Sequence, residues 1–403
     1  MQGLKNFSPR ERGNLISSKW HIPLSDLDYG AEEEDAVLRV LRSKWLSMGA
    51  EVEAFEREFA DFLGVRHAVA VTNGTAALHL SYLAFGLGPG DEIIQPAVNF
   101  VAAANMTVAV GATPIFADIV GLEEPTINPA DIECRITKHT KAVVVMHYGG
   151  YICRMHEISL ICQRHRLTLI EDACHAVGAR YLDQERCPPH GRMAGNLGDI
   201  ACFSFFSNKN LASGEGGMVV TNQSDLADRL RLLRSHGMTR LAWDRYHGRG
   251  GFYDVVLHGY NYRLDELRAA LGRSQLRKLV HINRLRKQLV SVYQRNLTGL
   301  QGWIIPFADC CSDSAYHLMA LVAPDEETRK RTVEALEKAG IQTSWHYPCI
   351  PDFEAFKRFR RNGIEHSRSY AKRVMTLPLF ASMTKSQVEK ICSIIRNVSV
   401  ETS

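Results

Sequence analysis

No apolar run in the chain reaches the ~18 residues that a membrane-spanning helix needs. The opening stretch, "MQGLKNFSPRERGNLISSKW", carries charges where a secretory leader would be apolar. A membrane protein and a secreted one are therefore not expected, and a cytoplasmic location is. The ten cysteines are scattered, with no C-x-x-C pair and no spacing that suits zinc, so no metal site is expected. Several sit in apolar segments and look like small, reduced core residues. There is little net charge: 48 basic against 44 acidic residues leave +4, too small to argue for nucleic acid. The phosphate fingerprint G-x-x-x-x-G-K-[ST] is missing, and no G-x-G-x-x-G opens a helix after a strand. Nucleotide hydrolysis and nicotinamide chemistry thus lack their signatures. Low-complexity tracts and exact repeats are absent too.

What is present is a globular composition, 45% hydrophobic and 23% charged over 403 residues. A chain of that length exceeds one ordinary core and suits a large domain plus a smaller one. After a polar tail, "DAVLRVLRSKWLSMGAEVEAFEREFADFLGV" has helical spacing and predicts two helices broken near residues 47–49. The pattern then changes to short apolar runs: "HAVAVT", "DEIIQP", "TPIFAD", "KAVVVMHY", "LTLIEDA", "ACFSFF" and "GGMVVT". Continuous Val/Ile runs separated by helices predict a mostly parallel sheet covered on both faces, hence an α/β fold. From about residue 260 a long amphipathic helix, "RLDELRAALGRSQLRKLVHINRLRKQLVSVYQRNL", leads into alternating strands and helices that predict a small α+β domain. The expected division is a tail over 1–20, a large domain over 21–260 and a small domain with its linking helix over 261–403.

In open α/β sheets, ligands sit beyond the carboxyl ends of the strands. Four turns there are unusual. "TNGTAAL" puts Gly74 and Thr75 at a helix start, where free amides favour a phosphate, although the same residues make an ordinary cap. "LTLIEDACHAVGA" ends a buried strand in two acids, with His175 three residues after Asp172. That carboxylate needs either a cationic partner or a role as a helix cap. "SFFSNKNLASGEGGM" places Lys209 after Phe203, Phe205 and Phe206; such a lysine is either solvated or desolvated enough to serve as a Schiff-base amine. "GYNYRLDELRAAL" sets Asn261 between two tyrosines at the start of the long helix.

Together, and in this order, these motifs resemble the DegT/DnrJ/EryC1/StrS family of sugar aminotransferases, pyridoxal phosphate enzymes of the aspartate aminotransferase fold (fold type I). The resemblance also takes in "GDEIIQPAVNFVAAANM", "GATPIFADI", "LRSHGM" and "LPLF", and so covers nearly the whole chain. It implies a large domain with a mostly parallel seven-stranded sheet between helices. It further implies that Lys209 holds the cofactor as an internal aldimine and shuttles the proton, and that Asp172 pairs with the pyridinium nitrogen. His175 would lie near the cofactor ring, Phe100 would stack on its face, and Gly74, Thr75 and Ser204 would bind its phosphate. Asn261 would reach the phosphate of a neighbouring subunit's cofactor, which makes a homodimer the smallest active unit. The implied reaction takes nitrogen from an amino acid, glutamate first, and gives it to a keto-sugar such as a nucleotide-linked 4-keto-6-deoxyhexose.

Two stretches depart from the family's spacing: "LDQERCPPHGRMAGNLGD" and "MTRLAWDRYHGRGGFYDVVLHGYN" are both long. In the second, Trp243, Arg245, Tyr246, His247 and Arg249 suit either a nucleotide or a solvated loop or dimer contact. A 3-dehydratase branch of the family replaces the lysine with histidine, and Lys209 argues against it. An aminotransferase for a keto-cyclitol or another keto-sugar would keep all the same motifs. A cofactor-binding regulator without turnover is the alternative outside enzymes, and intact Asp172, Lys209 and "GEGG" speak against it.

Overall fold

The computed structural model describes residues 19–182, 190–240, 243, 248, 252–310 and 313–400. Two helices come first, α1 (Ala31–Ser43) and α2 (Ala50–Leu63), separated at the expected break. The start of each is held by a contact with a residue far away in the chain. Glu33 in the first turn of α1 caps its own helix through the Gly30 amide at 2.8 Å and also takes Lys278 Nζ at 2.8 Å. The Glu266 carboxylate accepts the amides of Gly49 and Glu51 at 2.8 Å and of Val52 at 3.0 Å, so it satisfies the free donors at the start of α2. Both acids lie where the helix dipole favours negative charge.

Seven strands follow: β1 (His67–Val71), β2 (Glu92–Pro96), β3 (Thr113–Ala117), β4 (Thr140–Met146), β5 (Thr168–Asp172), β6 (Ile200–Ser204) and β7 (Gly217–Thr221). They form one sheet in the order β1-β7-β6-β5-β4-β2-β3. All neighbours pair in parallel except β7, which runs antiparallel to both β1 and β6. The helices α3 (Gly74–Ala84), α4 (Ala102–Ala109), α5 (Pro129–Arg135), α6 (Met155–His165) and α7 (Ser224–Arg234) fill the intervals. Alternate strand residues enter two cores. Ile94, Val143 and Val145 join Phe55 and Phe59 of α2 on one face, whereas Ile93, Ala142 and Val144 join α3 and α4 on the other. Burial on both faces explains why the strands read as continuous apolar runs.

Asp265 caps the 32-residue helix α8 (Glu266–Leu297) by accepting the Arg268 amide at 2.9 Å. Its first half packs on α1 and α2. Its second half packs on the last helix, α11 (Lys385–Val400). With α9 (Glu326–Lys338), α10 (Glu365–Arg373) and the antiparallel pair β8 (Met319–Val322) and β9 (Val374–Leu377), it builds a second core. Ile22 near the chain's start belongs to that core, since Gln342 donates its amide to the Ile22 carbonyl at 2.9 Å. Of the alternating strands and helices expected after the long helix, the segment "IQTSWHYP" forms no strand and carries only isolated bridges at Ile341 and Ser344; β8 pairs instead with β9, whose four residues are too short to show a period. No described helix is long and apolar enough to cross a membrane.

Candidate active site

Because β7 alone is reversed, β1, β5 and β6 all end at the same edge of the sheet, and the loop from β6 to β7 turns there as well. That geometry gathers residues between 73 and 215, together with a segment at 345–353, around one cavity of about 630 Å³.

The floor begins at α3. Asn73 accepts the Ala76 amide at 2.8 Å, which leaves the amides of Gly74 and Thr75, at the open start of the helix, facing the cavity. Gly74 is required by space, since a β-carbon there would lie 2.9 Å from Ser204 Cβ and 3.1 Å from Cys174 Sγ. Ser204, the last residue of β6, therefore stands directly beside the helix start. Positive partial charge, free amides and a hydroxyl in a cradle that tolerates no side chain suit a phosphate.

The two acids ending β5 face opposite ways, as strand geometry requires. Glu171 turns away from the cavity and is fully satisfied. It accepts the amides of Gly195 and Leu197 at 2.8 Å and of Gly198 at 2.7 Å, and meets His147 Nε2 at 2.9 Å. Asp172 turns into the cavity, 5% exposed, where its carboxylate accepts the Cys174 amide at 3.3 Å and meets the Cys174 thiol, with no charged side chain of its own to pair with among the described residues except Lys209. A buried carboxylate with so little local support fits a cationic ring nitrogen. Lys209 lines the same cavity. Burial lowers its amine below the ordinary lysine value, and Cys174 and the Asp172 carboxylate pull the other way. An amine that loses its proton more easily is a better nucleophile.

His175 also lines the cavity, buried and held well below the ordinary imidazole value by burial and then by the charges of Lys209 and His346. Its Nδ1 accepts the Gly149 amide at 3.4 Å and its Nε2 meets Tyr347 Oη at 2.9 Å. Phe100 stands at the mouth, 55% exposed, its ring 6.1 Å from that of Tyr347.

Of the eight residues singled out in the sequence, the cavity thus brings together Gly74, Thr75, Phe100, Asp172, His175, Ser204 and Lys209. Asn261 is not among its lining; it is exposed, in an extended segment bridged to Ser235. Trp243 packs its ring 5.1 Å from Trp45, while Arg245, Tyr246, His247 and Arg249 lie outside the described residues.

Sequence reasoning missed the wall formed by Trp345, His346 and Tyr347, and also Asn99. The clustered aromatics of "SWHYP" were the available signal for the wall. Asn99 is 3% exposed, and neither polar atom of its amide has a hydrogen-bond partner among the described residues. Native interiors rarely leave an amide so. The free helix start, the under-supported Asp172 and the partly buried lysine all fit pyridoxal phosphate: an anionic tail, a basic ring nitrogen and an aldehyde.

The comparisons with known proteins agree over nearly the whole length. The sequence profile of the DegT/DnrJ/EryC1/StrS aminotransferase family matches residues 28–396. The spore coat polysaccharide biosynthesis protein SpsC of Bacillus subtilis is 39% identical over 395 residues, 95% of this chain and 99% of its own. Among solved structures, Helicobacter pylori PseC, an aminotransferase involved in the biosynthesis of pseudoaminic acid, superposes with a TM-score of 0.87 at 28% identity, over 94% of this chain and 99% of its own. S. venezuelae DesV, solved in complex with a ketimine intermediate, gives 0.85 at 33% identity over 94% and 98%. Fold, cavity and matched length lead to one conclusion: the chain belongs to the DegT/DnrJ/EryC1/StrS aminotransferase family and is a pyridoxal-phosphate-dependent transaminase of fold type I.

Proposed function

We propose that this enzyme moves an amino group from L-glutamate to the keto group of a sugar, with a nucleotide-linked 4-keto-6-deoxyhexose as the first candidate. The observation that carries this reading is the meeting of Lys209, Asp172 and the Gly74–Thr75 turn in one cavity. Support for a sugar comes from the relatives, one named for polysaccharide biosynthesis and one for pseudoaminic acid biosynthesis.

Pyridoxal phosphate, when bound, supplies an electron sink that lets a proton leave a carbon attached to nitrogen. The chain's own residues do the rest. Lys209 carries the cofactor on Nζ and, once released, takes and returns protons at that atom. Burial, which lowers the pKa of Nζ, eases the loss of its proton and so its work as a base. Asp172 keeps a proton on the ring nitrogen, and the amides of Gly74 and Thr75 with the Ser204 hydroxyl bind the phosphate. Phe100 would cover one face of the ring, and His175 would lie near it. Asn261, exposed and away from its own chain's cavity, reaches the phosphate of a partner subunit in a homodimer with shared sites.

The test is spectroscopic first. Protein loaded with cofactor should show a band near the visible edge that bleaches on adding glutamate and returns on adding the right keto-sugar. A panel of nucleotide keto-sugars and keto-cyclitols, read by mass, then names the acceptor. A band indifferent to both glutamate and glutamine sinks the donor assignment, and a panel in which no sugar gains nitrogen sinks the acceptor.

A further inference from the structure

Tyr347 has a hydroxyl proton with no acceptor assigned to it, and the protonation state of His175 shows why. A neutral imidazole carries its proton on one ring nitrogen only, and the bond made by the other nitrogen identifies which. Burial keeps His175 neutral. Its Nδ1 accepts the Gly149 amide at 3.4 Å, so Nδ1 is bare and the proton sits on Nε2. Nε2 lies 2.9 Å from Tyr347 Oη. The imidazole is therefore the donor in that bond and the tyrosine oxygen the acceptor. The hydroxyl keeps its own proton, because burial raises Tyr347 well above the ordinary phenol value. No second hydrogen bond is made by this hydroxyl among the described residues, and Tyr347 lines the cavity with Lys209 and Asp172.

The ring is held firmly. Tyr148 donates its hydroxyl to the His346 carbonyl, and Tyr370 donates to the Tyr148 oxygen at 2.9 Å. Downstream, the Ile350 amide donates to the Ala97 carbonyl at 2.9 Å, which ties the segment to the end of β2. The His175 ring lies nearly parallel to that of Tyr347, 20° apart with centroids at 5.9 Å. Donor direction and ring position are thus fixed before any ligand arrives, the condition under which one hydrogen bond discriminates most.

We infer that Tyr347 is a specificity-determining residue whose hydroxyl donates a hydrogen bond to the keto oxygen of the acceptor sugar. The inference rests on the keto-sugar reading given above. A carbonyl oxygen accepts, so a donor at this place favours the keto-sugar over the deoxy analogue, which offers no acceptor there. His175 acts through Tyr347 here: by filling the tyrosine's acceptor side, it leaves only the donor for the cavity.

The experiment compares holoenzyme and its Tyr347→Phe variant for binding of the keto-sugar and of the analogue with CH₂ in place of the carbonyl. Wild-type protein is expected to prefer the keto-sugar by about tenfold and the variant by less than about twofold, the value of one neutral hydrogen bond. Cofactor affinity and the pH dependence of the cofactor's absorbance are expected to match in the two proteins. An equal preference for the keto-sugar in both proteins overturns the inference and leaves the aminotransferase reading standing. A changed cofactor spectrum with the sugar preference intact also overturns it, because the hydroxyl then serves the cofactor. Wild-type protein that neither binds nor aminates any keto-sugar removes both readings together.

Discussion

Gly217, which opens β7, lies flat against the backbone of Asn73, the cap of α3: a β-carbon at 217 would fall 2.5 Å from the Asn73 carbonyl carbon and oxygen and 2.9 Å from the Gly74 nitrogen. Backbone atoms cannot swing aside as a side-chain tip can. Gly217→Ala is therefore expected to destabilise the fold by about 1–3 kcal/mol, the usual cost of overpacking. It should also loosen the phosphate cradle, since the displaced atoms are those that aim the Gly74 amide. Urea denaturation together with cofactor titration checks both effects, and wild-type cofactor affinity in a destabilised variant would break the link between them.

Lys209→Ala tests the lysine directly. Turnover should fall by about 10³-fold or more, because nucleophile and proton carrier are lost together. Borohydride reduction of the wild-type holoenzyme should leave the cofactor's mass on the peptide containing Lys209, and the variant should carry none. Exchange of amino groups at the normal rate in the variant would remove the lysine from the mechanism.

The buried imidazoles make stability depend on pH in a stated direction. Burial and the Lys209 charge lower His346 from 6.5 to about 4, and His175 and His317 are held well below the ordinary value in the same way. In the unfolded chain these rings take protons near pH 6.5 that the folded state refuses. Their contribution to stability is thus complete above about pH 6.5 and is lost as pH falls toward 4. Denaturation midpoints should be flat from pH 8 to 7 on this account and drop from 6.5 to 5. The drop should shrink in His346→Gln; an unchanged drop would assign the effect to other groups.

A shared site predicts complementation. Mixed Lys209→Ala and Asn261→Ala chains form hybrids with one wholly intact site, so reassociation at equal amounts should restore about a quarter of wild-type activity. Activity no higher than the mean of the two parents would place Asn261 outside the neighbouring site.

The unpartnered amide of Asn99 predicts a gain on removal. Asn99→Leu keeps the side chain's branching and abolishes two buried polar atoms without partners, so the cofactor-free protein should be more stable by about 1 kcal/mol. A loss of stability would show that the amide is satisfied in solution.

Seven of the eight candidate residues line one cavity; Gly74, Thr75, Asp172, His175 and Lys209 stand out by chain-local signals at strand ends, a cap, a strand stop, a glycine run, whereas Phe100 and Ser204 are marked only by the family resemblance. Tyr347 was not legible, because it belongs to no element with a period and reaches His175 only after the chain has crossed α8 and β8. Glu171 was quoted beside Asp172 without its role, since nothing in "IED" tells which acid points to which face. β9 escaped because four residues between a charged helix and a proline are too few to reveal an alternation. The capping of α2 by Glu266 lies across more than two hundred residues, and no local pattern announces it.

The single reversed strand also sets the order in which the site can come into being. β6 and β7 are neighbours in sequence, so the lysine loop can form early as a local hairpin. The phosphate cradle cannot, because β1 joins the sheet only by pairing residue 67 with residue 221 across most of the large sheet. A chain with only the β6–β7 hairpin formed would hold the lysine loop without a place for the cofactor's anionic end. Cofactor capture then reports that the longest-range pairing is complete, and by mass action the bound cofactor holds that last strand in place.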